Sequence, residues 1–170
     1  MVIGIIGENC AGKSTLADAI RDKLSAEVIT GKDYLRLAKS EAEATALFKE
    51  KLAQTPDDKP VVYVISEKDQ LSLLPETTVR ILVKADLDTI KERFRARMRG
   101  NLPAPVAQML ERKHGMFDGE RHDLIYDGVR GETRYLHVPP RLREDARKGR
   151  DQGCDSHAAS PISVEMEKGA

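Results

Sequence analysis

The first apolar run of the chain, Val2 to Ile6, is almost unbroken and ends at a glycine. Continuous apolar runs without polar alternation mark strands buried on both faces, as in a parallel sheet. Beyond Ser14 the spacing changes. Leu16, Ala17, Ile20 and Leu24 recur at helical intervals, which predicts a turn straight from strand into helix. Residues 27–29 read as a short second strand broken by Thr30 and Gly31, and a long polar helix is predicted over about 33–52. The prolines and aspartates of 55–60 make a loop that delivers the β-branched run VVYVI at 61–65 as a third strand. VRILV at 79–83 is the fourth strand, followed by a helix for which Asp88 is the expected N-cap. Pro103 opens another helical stretch ending near His114 and Gly115, and DLIY at 123–126 reads as a short fifth strand. Strands alternating with helices imply a parallel sheet covered on both faces.

After Val138 the periodicity stops. Residues 139–170 are charged, small or proline and are expected to form a polar, disordered tail, leaving 1–138 as one domain. Lys plus Arg and Asp plus Glu number 28 each, so no net field favours nucleic acid or an anionic membrane as partner. No apolar run approaches the ~18 residues of a membrane span, and the first is cut short by Gly7 and Glu8. A cytoplasmic protein, monomer or homodimer, is the expectation. Cys10 and Cys154 sit in dissimilar contexts and the four histidines lack ligand spacing, which argues against a disulfide framework or structural zinc.

The chemistry is concentrated near the start. Gly7-Glu8-Asn9-Cys10-Ala11-Gly12-Lys13-Ser14 fits G-x-x-x-x-G-K-[ST], the phosphate-binding loop, placed between a predicted strand and a predicted helix as its mechanism requires. Glycines let successive backbone N–H groups converge on a phosphate, and the following helix adds the positive end of its dipole. Lys13 would reach the β- and γ-phosphates, and the Ser14 hydroxyl would ligate a bridging Mg²⁺. The nucleotide-contacting set is therefore Gly7, Asn9, Cys10, Ala11, Gly12, Lys13, Ser14 and Thr15. Cys10 fills a free position of the loop and has no base nearby in sequence to make it a nucleophile.

Three classes use such a loop. A signalling GTPase needs N-K-x-D and D-x-x-G, and neither string occurs. A motor or transporter ATPase has an apolar strand ending in aspartate, whereas VVYVI runs into Ser66-Glu67. The third class carries a specific resemblance. VITGKDYLR at 28–36 resembles the sTGDxxR segment of adenylate kinases, and RILVKADLDTIKERFRARMRGNLPAP at 80–105 resembles the strand, helix and arginine-bearing lid of the nucleoside monophosphate kinase group, whose relatives phosphorylate shikimate or gluconate. The resemblance spans about residues 1–135. It implies a three-layer α/β P-loop fold, with a five-stranded parallel sheet in the order 2-3-1-4-5 and a short helical lid. It further implies Thr30, Gly31 and Arg36 on the acceptor, with Lys32 as one residue extra to the pattern. Asp33 resembles either part of that segment or the post-strand aspartate of shikimate kinases, which serves Mg²⁺ and an acceptor hydroxyl. Arg112 falls where a second arginine-bearing helix follows such lids, and Gly128 to Arg130 fall where the loop after the last core strand borders the donor's adenine.

Helical geometry places Leu87, Ile90, Phe94 and Met98 on one core-facing stripe, with Arg93 and Arg97 on one flank and Arg95 and Arg99 on the other. Four like charges within seven residues repel unless an anion offsets them. Arg97 with Arg93 is the expected pair on the moving phosphoryl group, and Arg99 joins them if the helix unwinds toward Gly100. The reading is an ATP- and Mg²⁺-dependent kinase, acting on a nucleotide donor and a small-molecule acceptor, foremost a nucleoside monophosphate. A kinase of a hydroxyl acceptor and a non-catalytic ATP sensor are its alternatives.

Overall fold

In the computed structural model, residues 1–135 are described, and the expected tail at 139–170 lies outside them. The five predicted strands are present as β1 (Val2–Gly7), β2 (Glu27–Thr30), β3 (Val61–Ile65), β4 (Val79–Lys84) and β5 (Leu124–Asp127). All five run parallel in the order β2-β3-β1-β4-β5, the order the resemblance implies. A sixth strand, β6 (Glu132–Tyr135), which the sequence pattern did not announce, pairs antiparallel with β5 at the sheet edge. Every residue of β1 and β3 is buried, which explains why neither shows polar alternation.

Helix α1 (Lys13–Leu24) packs on one face of the sheet, where Ala17 joins Ile3, Ile5, Val62, Val64, Ile81 and Val83. The opposite face carries the larger core. There Phe48 of α2 (Glu41–Ala53) lies between two rings, stacked on Tyr34 at 5.0 Å and edge-on to Tyr63 at 4.9 Å. The remaining two helices, α3 (Leu87–Arg97) and α4 (Ala104–Lys113), form a hairpin closed by the six residues 98–103, and its small core is Cys10, Ile90 and Leu110. Among the described residues no helix is long and apolar enough to cross a membrane.

Three local expectations are corrected. The single helix over 33–52 is two pieces, a 3-10 turn at Asp33–Leu37 and α2, separated by an extended Ala38. Ser40 caps α2 by accepting the Glu43 N–H at 3.2 Å, and Tyr34, within the 3-10 turn, stacks on Phe48 of α2. Asp86, not Asp88, is the N-cap of α3. It accepts the Thr89 N–H at 2.8 Å, and this bond and the Thr89 hydroxyl hold its carboxyl below the usual carboxylate range. Met98 leaves the core stripe: α3 ends at Arg97, and Met98 is 46 % exposed. Arg99 (φ 55) and Gly100 (φ 87) are left-handed, so the helix unwinds where Arg99 was expected to change flank.

Candidate active site

The carboxyl ends of the parallel strands converge on the loop between β1 and α1, where ligands of open α/β sheets bind. Cys10 (φ 64) and Gly12 (φ 110) both take the left-handed conformation, which bends the loop back on itself. Ser14 and Thr15 stand exposed in the first turn of α1, and Asn9 is exposed on the loop. The Lys13 side chain is buried, and its ammonium donates to the Gly7 and Glu8 carbonyls at 2.8 and 2.6 Å. Burial pushes this ammonium down to about 8, against the opposing pull of nearby Cys10 and Glu8. Arg97 lies close enough for its charge to oppose Lys13, and Glu67 close enough to support it. Lys113 of α4 holds the Glu67 carboxylate at 2.9 and 3.1 Å.

The two expected arginines occupy different places. Arg97 is exposed at the end of α3, facing the side of Lys13, whereas Arg93 is docked on main-chain oxygens. Its guanidinium donates to Cys10 O at 3.2 Å and to Gly128 O at 2.9 Å. It thereby joins the phosphate loop to the turn after β5. Gly128 makes that junction close: a Cβ placed on it would sit 1.8 Å from the Ala11 carbonyl oxygen. Its own N–H donates to Lys84 O at 2.7 Å.

A second tie joins the loop to the helical hairpin. Glu8 Oε1 accepts the Gly115 N–H at 2.6 Å and Oε2 meets His114 Nδ1 at 3.1 Å. Neither this carboxylate nor the Arg93 clamp was foreseen from sequence, because Glu8 meets Gly115 across 107 positions and Arg93 meets Cys10 across 83 and Gly128 across 35. Arg112 is exposed.

Beside the loop, a cavity of about 720 Å³ opens over the ends of β4 and β5, with Glu8, Asp86, Phe117, Val129 and Arg130 in its wall. Its size suits a nucleotide-sized ligand. Gly128 lies against the loop itself, and Val129 and Arg130 belong to this wall, the side to which the resemblance assigned the donor's base.

On the other side of β1 stand the residues expected at the acceptor. Thr30 ends β2, Gly31 follows with φ 53, and Asp33 and Arg36 lie in the 3-10 turn. Arg36 is 85 % exposed and reaches Asp33 at 3.6 Å. The turn itself is anchored: the Tyr63 hydroxyl donates to Gly31 O at 2.8 Å, and burial raises that phenol well above its usual range, so it stays a neutral donor.

In the order of its parallel strands the chain resembles the small P-loop kinases. No family model matches the chain. It is 28% identical over 142 residues to the cytidylate kinase of Haloarcula marismortui, covering 75% of this chain and 73% of that protein. Its fold is similar to a gluconokinase from Sinorhizobium meliloti 1021, at 19% identity and a TM-score of 0.51, covering 86% of this chain and 87% of the other. It is likewise similar to a sugar kinase from Janibacter sp. HTCC2649, at 15% identity and a TM-score of 0.52, covering 88% and 94%. At these identities the two structures speak for the fold.

Proposed function

We propose that the protein is an ATP- and Mg²⁺-dependent kinase of small molecules whose acceptor is a nucleoside monophosphate, with CMP the first candidate. The observation that carries this reading is the loop at 7–15, bent by two left-handed residues around a buried, carbonyl-held lysine at the carboxyl edge of a parallel sheet. The similarity to a cytidylate kinase supports a monophosphate as acceptor. In the proposed reaction an acceptor phosphate oxygen attacks the γ-phosphorus, and the bond to the oxygen bridging the β- and γ-phosphates breaks, so ADP departs. Lys13 balances charge on the donor's oxygens, Arg97 meets the transferred group, and Arg93 keeps the loop in shape. Thr30, Gly31, Asp33 and Arg36 line the acceptor side.

The donor set fits a magnesium ion that arrives with its nucleotide. Mg²⁺ takes hard oxygens, keeps several waters and needs few protein ligands. Ser14 offers an exposed hydroxyl at the start of α1, and Glu67 is the carboxylate that follows β3. Among the described residues no group of three or more His, Cys, Asp and Glu could hold a metal unaided. When bound, the ion neutralises charge on the β- and γ-phosphate oxygens.

A hydroxyl acceptor is the second reading, favoured by one observation: the Asp33 carboxylate stands half-exposed just past β2, where a base would be needed. Asp33→Asn separates the two. A coupled ADP assay is expected to show less than about a tenfold loss of kcat with CMP, because a phosphate oxygen needs no strong base. With an alcohol acceptor such as gluconate the loss is expected to exceed about a hundredfold. If Mg-ATP binds and no monophosphate, sugar acid or shikimate-like acceptor releases ADP, the protein is a nucleotide sensor and the kinase reading is wrong.

A further inference from the structure

The phosphate loop contains a tight turn. The Ala11 N–H donates to Glu8 O at 3.2 Å, and the third residue of the turn, Cys10, is left-handed at φ 64. Turns with a left-handed third position favour glycine there, and a residue carrying a Cβ stays in that conformation only where its surroundings hold it. Here the surroundings are the α3–α4 hairpin. The Cys10 side chain is buried with Ile90 of α3 and Leu110 of α4, and its carbonyl accepts from Arg93. Glu8, at the first position of the same turn, reaches the other end of the hairpin. Its Oε1 accepts the Gly115 N–H at 2.6 Å and its Oε2 meets His114 Nδ1 at 3.1 Å. Gly115 follows α4 with φ 76, and a left-handed glycine after a helix ordinarily turns its N–H back on the helix's last carbonyls. This one is given to the loop instead.

Glu8 therefore acts through two parts of one residue. Its carbonyl accepts both the Ala11 N–H and the Lys13 ammonium, the latter at 2.6 Å, so the turn and the lysine are fixed together. Its side chain fastens that residue to the hairpin. A carboxylate this close to the loop would repel a triphosphate if its charge faced the ligand. Both oxygens are instead engaged by the hairpin, and the side chain is only 16 % exposed. We propose that Glu8 is a positioning residue for the nucleotide donor: by fastening the loop to the end of α4 it sets where its own carbonyl, and with it Lys13, stands. The assignment rests on the kinase reading only in taking the loop as the seat of a triphosphate. It makes the base of the hairpin part of the donor site, whatever the acceptor.

Calorimetric titration of Mg-ATP into wild-type protein, E8A, E8D, E8Q and H114A tests it, with thermal melting to confirm that each variant is folded. E8A removes both bonds. E8D keeps the charge on a side chain one methylene shorter, and it carries the test if E8A does not fold. E8Q removes the charge but keeps an oxygen for the Gly115 N–H and an amide for His114 Nδ1. E8A and E8D are expected to lose tenfold or more in Mg-ATP affinity and E8Q less than tenfold, with H114A, which keeps the Gly115 bond, losing less than E8A. In steady state with CMP the loss falls on the donor KM, and the acceptor KM stays within twofold. A loss below tenfold in E8A and E8D, a loss of tenfold or more in E8Q, or an acceptor KM that rises in parallel overturns the assignment. ADP formation reports on the kinase reading separately. Mg-ATP affinity that follows this pattern without any ADP formed contradicts the reaction and leaves the assignment standing, and ADP formed with donor affinity unmoved in E8A does the reverse.

Discussion

Replacing Gly128 by alanine is expected to cut kcat/KM for the nucleotide donor by about a hundredfold or more. The added methyl would stand 1.8 Å from the Ala11 carbonyl oxygen, 3.0 Å from its carbon and 3.2 Å from Lys84 O, all of it backbone. Backbone cannot rotate away as a flexible side chain can, so either the phosphate loop or the turn after β5 must retreat by an ångström or more. Retreat of the turn also stretches the Arg93 bond to Gly128 O and the Gly128 N–H bond to Lys84 O. Misplacing catalytic groups by about 1 Å is enough for a hundredfold loss. Overpacking should lower stability by a further 1–3 kcal/mol, roughly. Thermal melting with and without Mg-ATP separates the two effects: wild-type protein gains stability from the nucleotide, and G128A, still folded, is expected to gain almost none. An equal gain in both proteins would show that the turn does not shape the loop.

The second large effect is at Lys13. Lys13→Ala removes the buried ammonium that holds the Gly7 and Glu8 carbonyls and would meet the phosphates, and kcat is expected to fall by about a hundred- to a thousandfold. Lys13→Arg should not rescue it. The two carbonyls close around a compact ammonium at 2.8 and 2.6 Å, and a planar guanidinium is too broad for that space. Recovery of more than a tenth of wild-type kcat by Lys13→Arg, in the coupled ADP assay, would mean that the charge acts at longer range than the geometry implies.

The parts of this account that were legible in the sequence are those written in short-range patterns. The unbroken apolar run of β1, the Gly-x4-Gly-Lys-Ser spacing and the β-branched run of β3 each lie within a few residues, and each stands where the structure has it. The strand order was legible only through resemblance, since periodicity says nothing about which strands are neighbours. Local patterns failed where two of them overlapped. Asp86 and Asp88 both precede a helical stretch, and only the Thr89 N–H three residues past Asp86 decides between them. Met98 kept the apolar period after the helix itself had ended. The strand β6 went unread because Glu132–Tyr135 carries no apolar alternation and is held by pairing with β5. The site's shape was the least legible. The Arg93 clamp, the Glu8 tie to Gly115 and the placement of Gly128 on Ala11 all bring distant segments together, and nothing in a single segment encodes its partner.

The loop's claim on a triphosphate is tested most directly by calorimetric titration of Mg-ATP at pH 8 in buffers of different ionisation enthalpy. Burial lowers the Lys13 ammonium to about 8, so at that pH part of the free protein carries Lys13 uncharged. Phosphate oxygens favour the charged form, so binding must raise it, and net proton uptake on nucleotide binding is expected. The sign follows from the direction of the shift: uptake fades below pH 7, where Lys13 is already charged, and apparent affinity falls as pH climbs above 8. Lys13→Ala should bind more weakly and take up no proton at this site. One-to-one binding with that uptake supports the account, and the absence of Mg-ATP binding, or uptake unchanged in Lys13→Ala, would contradict it.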